Sequence, residues 1–120
     1  MTHKIYSFND NILHIAFIGA IDAEATDSFL AEFPSFVSQV PEGQRLSMLI
    51  DASQEGRMSS EGRRGLTSLM QSDSIDRVGV INAPRVNRVV AQFVMKAIGR
   101  DNIKFFSDEA EARAWLAATE

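Results

Sequence analysis

The residues best suited to chemistry cluster between positions 51 and 64. Asp51 follows the apolar run Leu46–Ile50, so it stands at the end of a buried strand, a common location for functional groups in α/β sheets. Ser53, Glu55 and Ser60 follow closely. A carboxylate with nearby serines suggests hydrolysis, but no Gly-x-Ser-x-Gly elbow and no His–carboxylate relay accompany them. The two imidazoles are His3 and His14, and His14 lies within an apolar strand, where it reads as a strand-face or core residue rather than a base. Asp51 then reads most simply as a polar strand terminus that bonds the following loop. Gly62-Arg63-Arg64-Gly65 lies near a helix start, where backbone donors, the helix dipole and two guanidinium groups suit an anion. It lacks a Walker pattern and an acidic metal partner, and a solvated helix face explains Arg63 and Arg64 equally well.

Charge is unevenly spread. The 120 residues carry 12 Lys and Arg against 16 Asp and Glu, a net charge of -4. Arg77, Arg85, Arg88, Lys96 and Arg100 fall in one stretch without an acid, so the rest of the chain carries -9. On a helix, Arg85, Arg88, Gln92 and Lys96 share a face that would steer an acidic partner. The chain has no cysteine, which removes disulfides, thiolate zinc sites, iron–sulfur clusters and cysteine nucleophiles together. We therefore expect no metal, no cofactor and no enzyme. The acidic balance argues against nucleic acid and anionic membranes as partners. Residues 1–10 lack the apolar stretch of a signal peptide, and Ile12–Ile21 is about half a membrane span. A soluble, cytoplasmic chain is expected.

These residues sit on a regular alternation of elements. Ile5 and Phe8 begin a strand, Asn9-Asp10-Asn11 makes a turn, and Ile12–Ile21 returns as a second strand. Asp22 caps a helix that runs through Val40, kinked or split at Pro34. Leu46–Ile50 is a buried strand. Ser59 or Ser60 caps a second helix with Leu66, Leu69 and Met70 inward. Val78–Ile81 is the next strand. Pro84 opens a third helix whose core face is Val86, Val89, Val90, Phe93, Val94 and Ala97, ending at Gly99. Ile103–Phe106 is the last strand, and Ser107 and Asp108 cap a final helix with Ala112, Trp115 and Leu116 inward. The order β-β-α-β-α-β-α-β-α predicts one α/β domain over residues 1–120, with a mixed central sheet covered by helices. Eight Phe and five Met are generous for this length. Phe29, Phe33, Phe36 and Phe93 are candidates for an apolar cavity between sheet and helices, although such stripes are more often packed core.

This order resembles the STAS fold of anti-anti-sigma factors and of the cytoplasmic domains of sulphate transporters. Asp76-Arg77-Val78-Gly79-Val80-Ile81, the Pro-started helix, Ile103-Lys104-Phe105-Phe106-Ser107 and Ala112 to Leu116 are closest to its SpoIIAA-like branch. Anti-anti-sigma factors carry a Met-Asp-Ser-Ser-Gly-like segment whose first Ser is phosphorylated. The similar segment is Met58-Ser59-Ser60-Glu61-Gly62, so the resemblance makes Ser60 the phosphoacceptor. Ser59 replaces the family's Asp, and Glu61 replaces its second Ser and would repel a phosphate. The leading expectation is a regulatory module that binds a protein partner through Ser59, Arg63 and Arg64 and through Arg85, Arg88 and Lys96. The alternatives are a carrier or sensor of a small apolar ligand and an anion- or nucleotide-binding protein. Exposed strand edges or the Phe-rich helix also leave room for a homodimer.

Overall fold

The computed structural model describes residues 3–118. Seven strands and four helices follow in the order β1 (His3–Asn9), β2 (Ile12–Phe17), β3 (Gly19–Ile21), α1 (Ala23–Val37), β4 (Leu46–Asp51), β5 (Glu55–Met58), α2 (Ser60–Met70), β6 (Ile75–Ile81), α3 (Arg85–Ile98), β7 (Ile103–Phe106) and α4 (Glu109–Ala117). The main sheet has the order β1-β2-β4-β6-β7. Its first pair is antiparallel and the other three are parallel, so the sheet is mixed as expected. Asp10 and Asn11 have φ of 53° and 62°, the left-handed values that a tight hairpin turn requires and that Asp and Asn tolerate.

The expected second strand is two strands. Gly19 turns to φ 80° after Phe17, which ends the extended run, and the chain leaves the main sheet. β3 then pairs in parallel with β5, and Gly19 N–H donates to the Gln54 carbonyl at 2.9 Å. This second, two-stranded sheet has no counterpart in the sequence expectation. α1 ends at Val37, with Ser38 as its C-cap, three residues before the expected Val40. Pro34 lies inside α1 without splitting it. The proline is exposed and falls in the last turns, so the missing donor weakens a helix end rather than a middle.

The helix caps are those that the sequence indicates. Asp22 accepts from Ala25 N–H, Ser59 from Gly62 N–H and Asp108 from Ala110 N–H. α1 and α2 cover one face of the sheet, with α3 packed against α2. Leu13, Ile15, Phe17, Phe29, Met48, Ile75 and Val78 form the main core there, and Phe17 and Phe29 meet edge to face at 5.7 Å. Burying each such side chain contributes about 2 kcal/mol. α4 closes the other face through Ile12, Leu49, Ile81, Ala112 and Leu116.

α3 is rotated from its expected orientation. Asn87 and Met95 are buried, with Val90, Ala91, Val94 and Ile98 half-buried beside them. Val86, Val89 and Phe93 are 71%, 48% and 73% exposed. Two apolar stripes overlap on this helix, and the one centred on Ala91 and Val94 meets α2.

Two measurements check these placements. Phe93→Ala and Val86→Ala are expected to change stability by less than about 0.5 kcal/mol, and Met95→Ala to lower it by about 2–3 kcal/mol. Urea unfolding decides it: equal losses at Phe93 and Met95 contradict this orientation. A Cβ on Gly62 would fall onto the Ile21 carbonyl oxygen, and one on Gly65 onto the Thr26 side chain. Because backbone must yield, Gly62→Ala is expected to cost about 3 kcal/mol by the same assay, and a neutral result would show that α2 starts farther from β3.

Candidate functional site

The start of α2 is built by close packing. Ser59 Oγ accepts from Gly62 N–H at 3.0 Å, and Ser59 N–H donates to the Ile21 carbonyl at 3.0 Å. Gly62 and Gly65 therefore admit the neighbouring chain of β3 and α1, which accounts for both glycines without an anion. The Gly62 amide, a donor that an anion loop would need, is already taken by Ser59. Ser59 is thus the cap, and Ser60 is the exposed first residue of the helix. Arg63 and Arg64 are exposed one turn later.

The five-cation stretch divides into two groups. Arg77 donates to the Trp115 carbonyl at 2.6 Å and lies 5.2 Å over the Trp115 ring, so it ties the end of α4 to β6. Arg100 donates to the Gln71 and Ser72 carbonyls and pairs with Asp73 at 3.0 Å, so it ties the chain after α3 to the end of α2. Arg85, Arg88 and Lys96 remain exposed on α3, and no carboxylate pairs with them among the described residues. They flank the exposed ridge of Val86, Val89 and Phe93. An open cleft of about 380 Å³, lined by Asn82, Ala83, Arg88, Phe105, Phe106 and Ser107, adjoins this face at the C-terminal ends of β6 and β7.

Beneath α3 runs an apolar seam. Its main part is a cavity of about 50 Å³ among Phe17, Ile50 and Val80 of the sheet, Leu66 of α2 and Ala91 of α3. A second part of about 30 Å³ continues toward Met95. The polar residues lining the seam are Glu55 and Asn87. Asn87 Nδ2 donates to Glu55 Oε1 at 2.8 Å and to the Gly56 carbonyl at 3.4 Å. Burial pushes the Glu55 carboxyl up to about 7; the Asn87 bond opposes this, and the Asp51 charge adds to it. Phe29 and Phe33 lie in the main core against Phe17 and His3, and Phe36 packs edge-on against Phe8 at 5.5 Å. With Phe93 exposed, none of the four lines the seam.

Neither imidazole is arranged as a base in a relay. His3 Nε2 is bonded to Glu32 at 2.6 Å. His14 packs against Tyr6 with ring centroids 4.6 Å apart and the planes tilted by 41°, and Arg113 Nη2 lies 3.0 Å from its Nδ1. Burial holds its pKa down; the Arg113 charge adds to this, and Glu109 and Asp51 oppose it. Asp51 accepts from Ser53 N–H at 3.0 Å, as a strand terminus bonding its loop would. Burial alone would raise its pKa, but hydrogen bonds from Ser53 and Asn82 outweigh it and leave the carboxyl low. Among the described residues no three His, Cys, Asp or Glu converge as a metal site, and no helix is long and apolar enough to cross a membrane.

Asn87, and its pairing with Glu55, is what sequence reasoning missed; Glu55 stands out in the sequence only as a polar neighbour of Asp51. Glu55 looks like one more polar residue after Asp51, because Glu55-Gly56-Arg57-Met58 has no strand signature. Asn87 interrupts an apolar helix face, and an interruption at a core position was the available signal.

Comparison with known proteins agrees with this architecture. The chain is similar to an uncharacterised protein of the DUF3478 family with a SpoIIAA-like fold from Shewanella loihica PV-4. The TM-score is 0.70 at 18% identity, over 96% of this chain and 92% of that one. It is also similar to the anti-sigma factor antagonist SpoIIAA in its unphosphorylated form, with TM-score 0.68 at 16% identity over 98% of this chain and 99% of that one. No curated protein matches the sequence. A family model described as SpoIIAA-like matches residues 12–117, and the chain therefore belongs to the SpoIIAA-like family.

Proposed function

We propose that the chain is a non-enzymatic regulatory module that binds a protein partner across the outer face of α3 and the start of α2. The observation that carries this reading is the exposed ridge of Val86, Val89 and Phe93 beside Arg85, Arg88 and Lys96, which pair with no carboxylate among the described residues. A buried phenyl side chain is worth about 2 kcal/mol or more, so leaving Phe93 in water forgoes stability that an interface would recover. An apolar centre with a cationic rim fits a partner groove that is apolar inside and acidic at its edge. The likeness to an anti-sigma factor antagonist supports a protein as the partner.

Ser60 is the phosphoacceptor in this reading. Its hydroxyl is exposed at the first position of α2, where the helix dipole and the nearby Arg63 and Arg64 favour a phosphate and Glu61 opposes it. The other two functions find less support. A cavity that holds benzene measures about 150 Å³, so a seam of about 50 Å³ takes a water or two while α3 stays seated. An anion or nucleotide site loses its main motif, because Gly62 and Gly65 are explained by packing.

Affinity capture from the native cell, quantified by mass spectrometry, tests the partner surface. A partner held by wild type is expected to fall about tenfold or more with Val86→Ser/Phe93→Ser and with Arg85→Glu/Arg88→Glu, and to persist with Lys4→Glu on β1. Its capture should also weaken with added salt. Identical partner lists across all variants overturn the assignment of this face.

A further inference from the structure

α3 is held at two places. After its C-terminus, Gly99 turns to φ 71° and Arg100 is bonded to the Gln71 and Ser72 carbonyls and to Asp73. In its N-terminal half the polar tether is Asn87, which reaches the Glu55 carboxyl and the Gly56 carbonyl of β5. Pro84 precedes the helix without a side-chain cap. Between the two tethers the helix rests on α2 and on the apolar seam.

We propose that Glu55 and Asn87 form a proton-operated latch: the N-terminal half of α3 is seated on the seam while Glu55 is protonated and lifts from it when Glu55 ionises. An ionised Glu55 under a seated α3 is a carboxylate among apolar side chains with one side-chain donor, Asn87. Half-buried at the edge of the seam, it gains fuller hydration only if a wall yields, and the walls differ in how easily they do so. β4 and β6 are paired on both edges within the main sheet, and β5 is held by β3. α3 has no such pairing, so it is the wall that moves.

The charges around Glu55 do not relieve it. Asp51, at the end of β4, acts on it and disfavours its ionisation. Arg57 on β5, Arg63 and Arg64 on α2, and Arg85, Arg88 and Lys96 on α3 are all exposed. β3 and the end of β6 bring no ionisable residue.

The sign follows from linkage. A carboxyl raised from 4.5 to about 7 in the seated state makes seating most favourable at low pH. The preference is lost as pH rises between those two values, giving about 30-fold weaker seating near pH 8.5 than near pH 5.5. The latch belongs to the free protein and stands whether or not the partner surface is the one proposed above.

Hydrogen exchange on the whole chain, corrected for the intrinsic pH dependence of exchange, tests it. Protection of the α3 amides relative to β4 and β6 is expected to fall about tenfold or more between about pH 5.5 and about pH 8.5. Glu55→Gln should hold α3 protected and insensitive to pH across that range. Asp51→Asn removes the neighbouring charge, so its transition should move to lower pH, and this variant carries the test if Glu55→Gln fails to fold. Wild-type α3 protection that stays flat with pH overturns the latch, as does a pH dependence that Glu55→Gln retains or Asp51→Asn leaves unmoved.

Discussion

The contact between the start of α2 and the Ile21 carbonyl determines where the proposed surfaces lie. Ser59 donates its amide to that carbonyl, and Gly62 has no side chain to keep α2 away. The chain entering α2 must therefore run beside β3, and the residues before it become β5. That pairing carries Glu55 under α3 instead of leaving it in a solvated loop. One turn on, Gly65 lets α1 close on α2 at Thr26, whose hydroxyl is already bonded to the Asp22 and Ala23 carbonyls. α3 then packs on α2, and the shape of that surface selects which of its two apolar stripes turns inward.

Much of the frame is legible in the sequence because its signals are local. Asp10 and Asn11 tolerate the left-handed turn, Asp22, Ser59 and Asp108 cap their helices, and Leu46–Ile50 has too continuous an apolar run for an exposed segment. The errors arise where long-range contacts decide. Ile12–Ile21 reads as one strand because nothing in its composition marks Gly19 as the point where pairing moves from the main sheet to β5. On α3, Val86, Val89 and Phe93 compete with Val90, Val94 and Met95 at the same period, and hydrophobic periodicity cannot rank two overlapping stripes. Asn87 is the discriminating residue: turning it outward would favour the valine stripe, but its amide finds Glu55 and Gly56 inside. The candidate site was hidden for the same reason, since Glu55 stands out only beside Asp51, and its pairing with Asn87 follows only once β5 is recognised.

The charge pattern also depends on which cations are structural. Arg77 and Arg100 satisfy carbonyls at the ends of α4 and α2, where the helix dipole favours positive charge. Removing them from the five-cation stretch leaves Arg85, Arg88 and Lys96, all on α3. The remaining cations of that stretch are therefore carried by one helix, which packs on α2.

The proposed latch would couple surface and seam through the rigid-body position of α3 rather than through a chain of side chains. Arg85, Val86, Arg88 and Val89 lie near the Asn87 tether, whereas Phe93 lies about midway and Lys96 nearer the Arg100 anchor. A change at the tether displaces the first group more than the second, because the two tethers sit at different ends of one helix. A partner that touches only Lys96 would meet nearly the same surface in either position of α3. One that spans the whole ridge needs its apolar and cationic parts in register, and its affinity would depend on where the helix rests. Glu55, half-buried beneath α3, would then set the spacing of a surface on the far side of that helix.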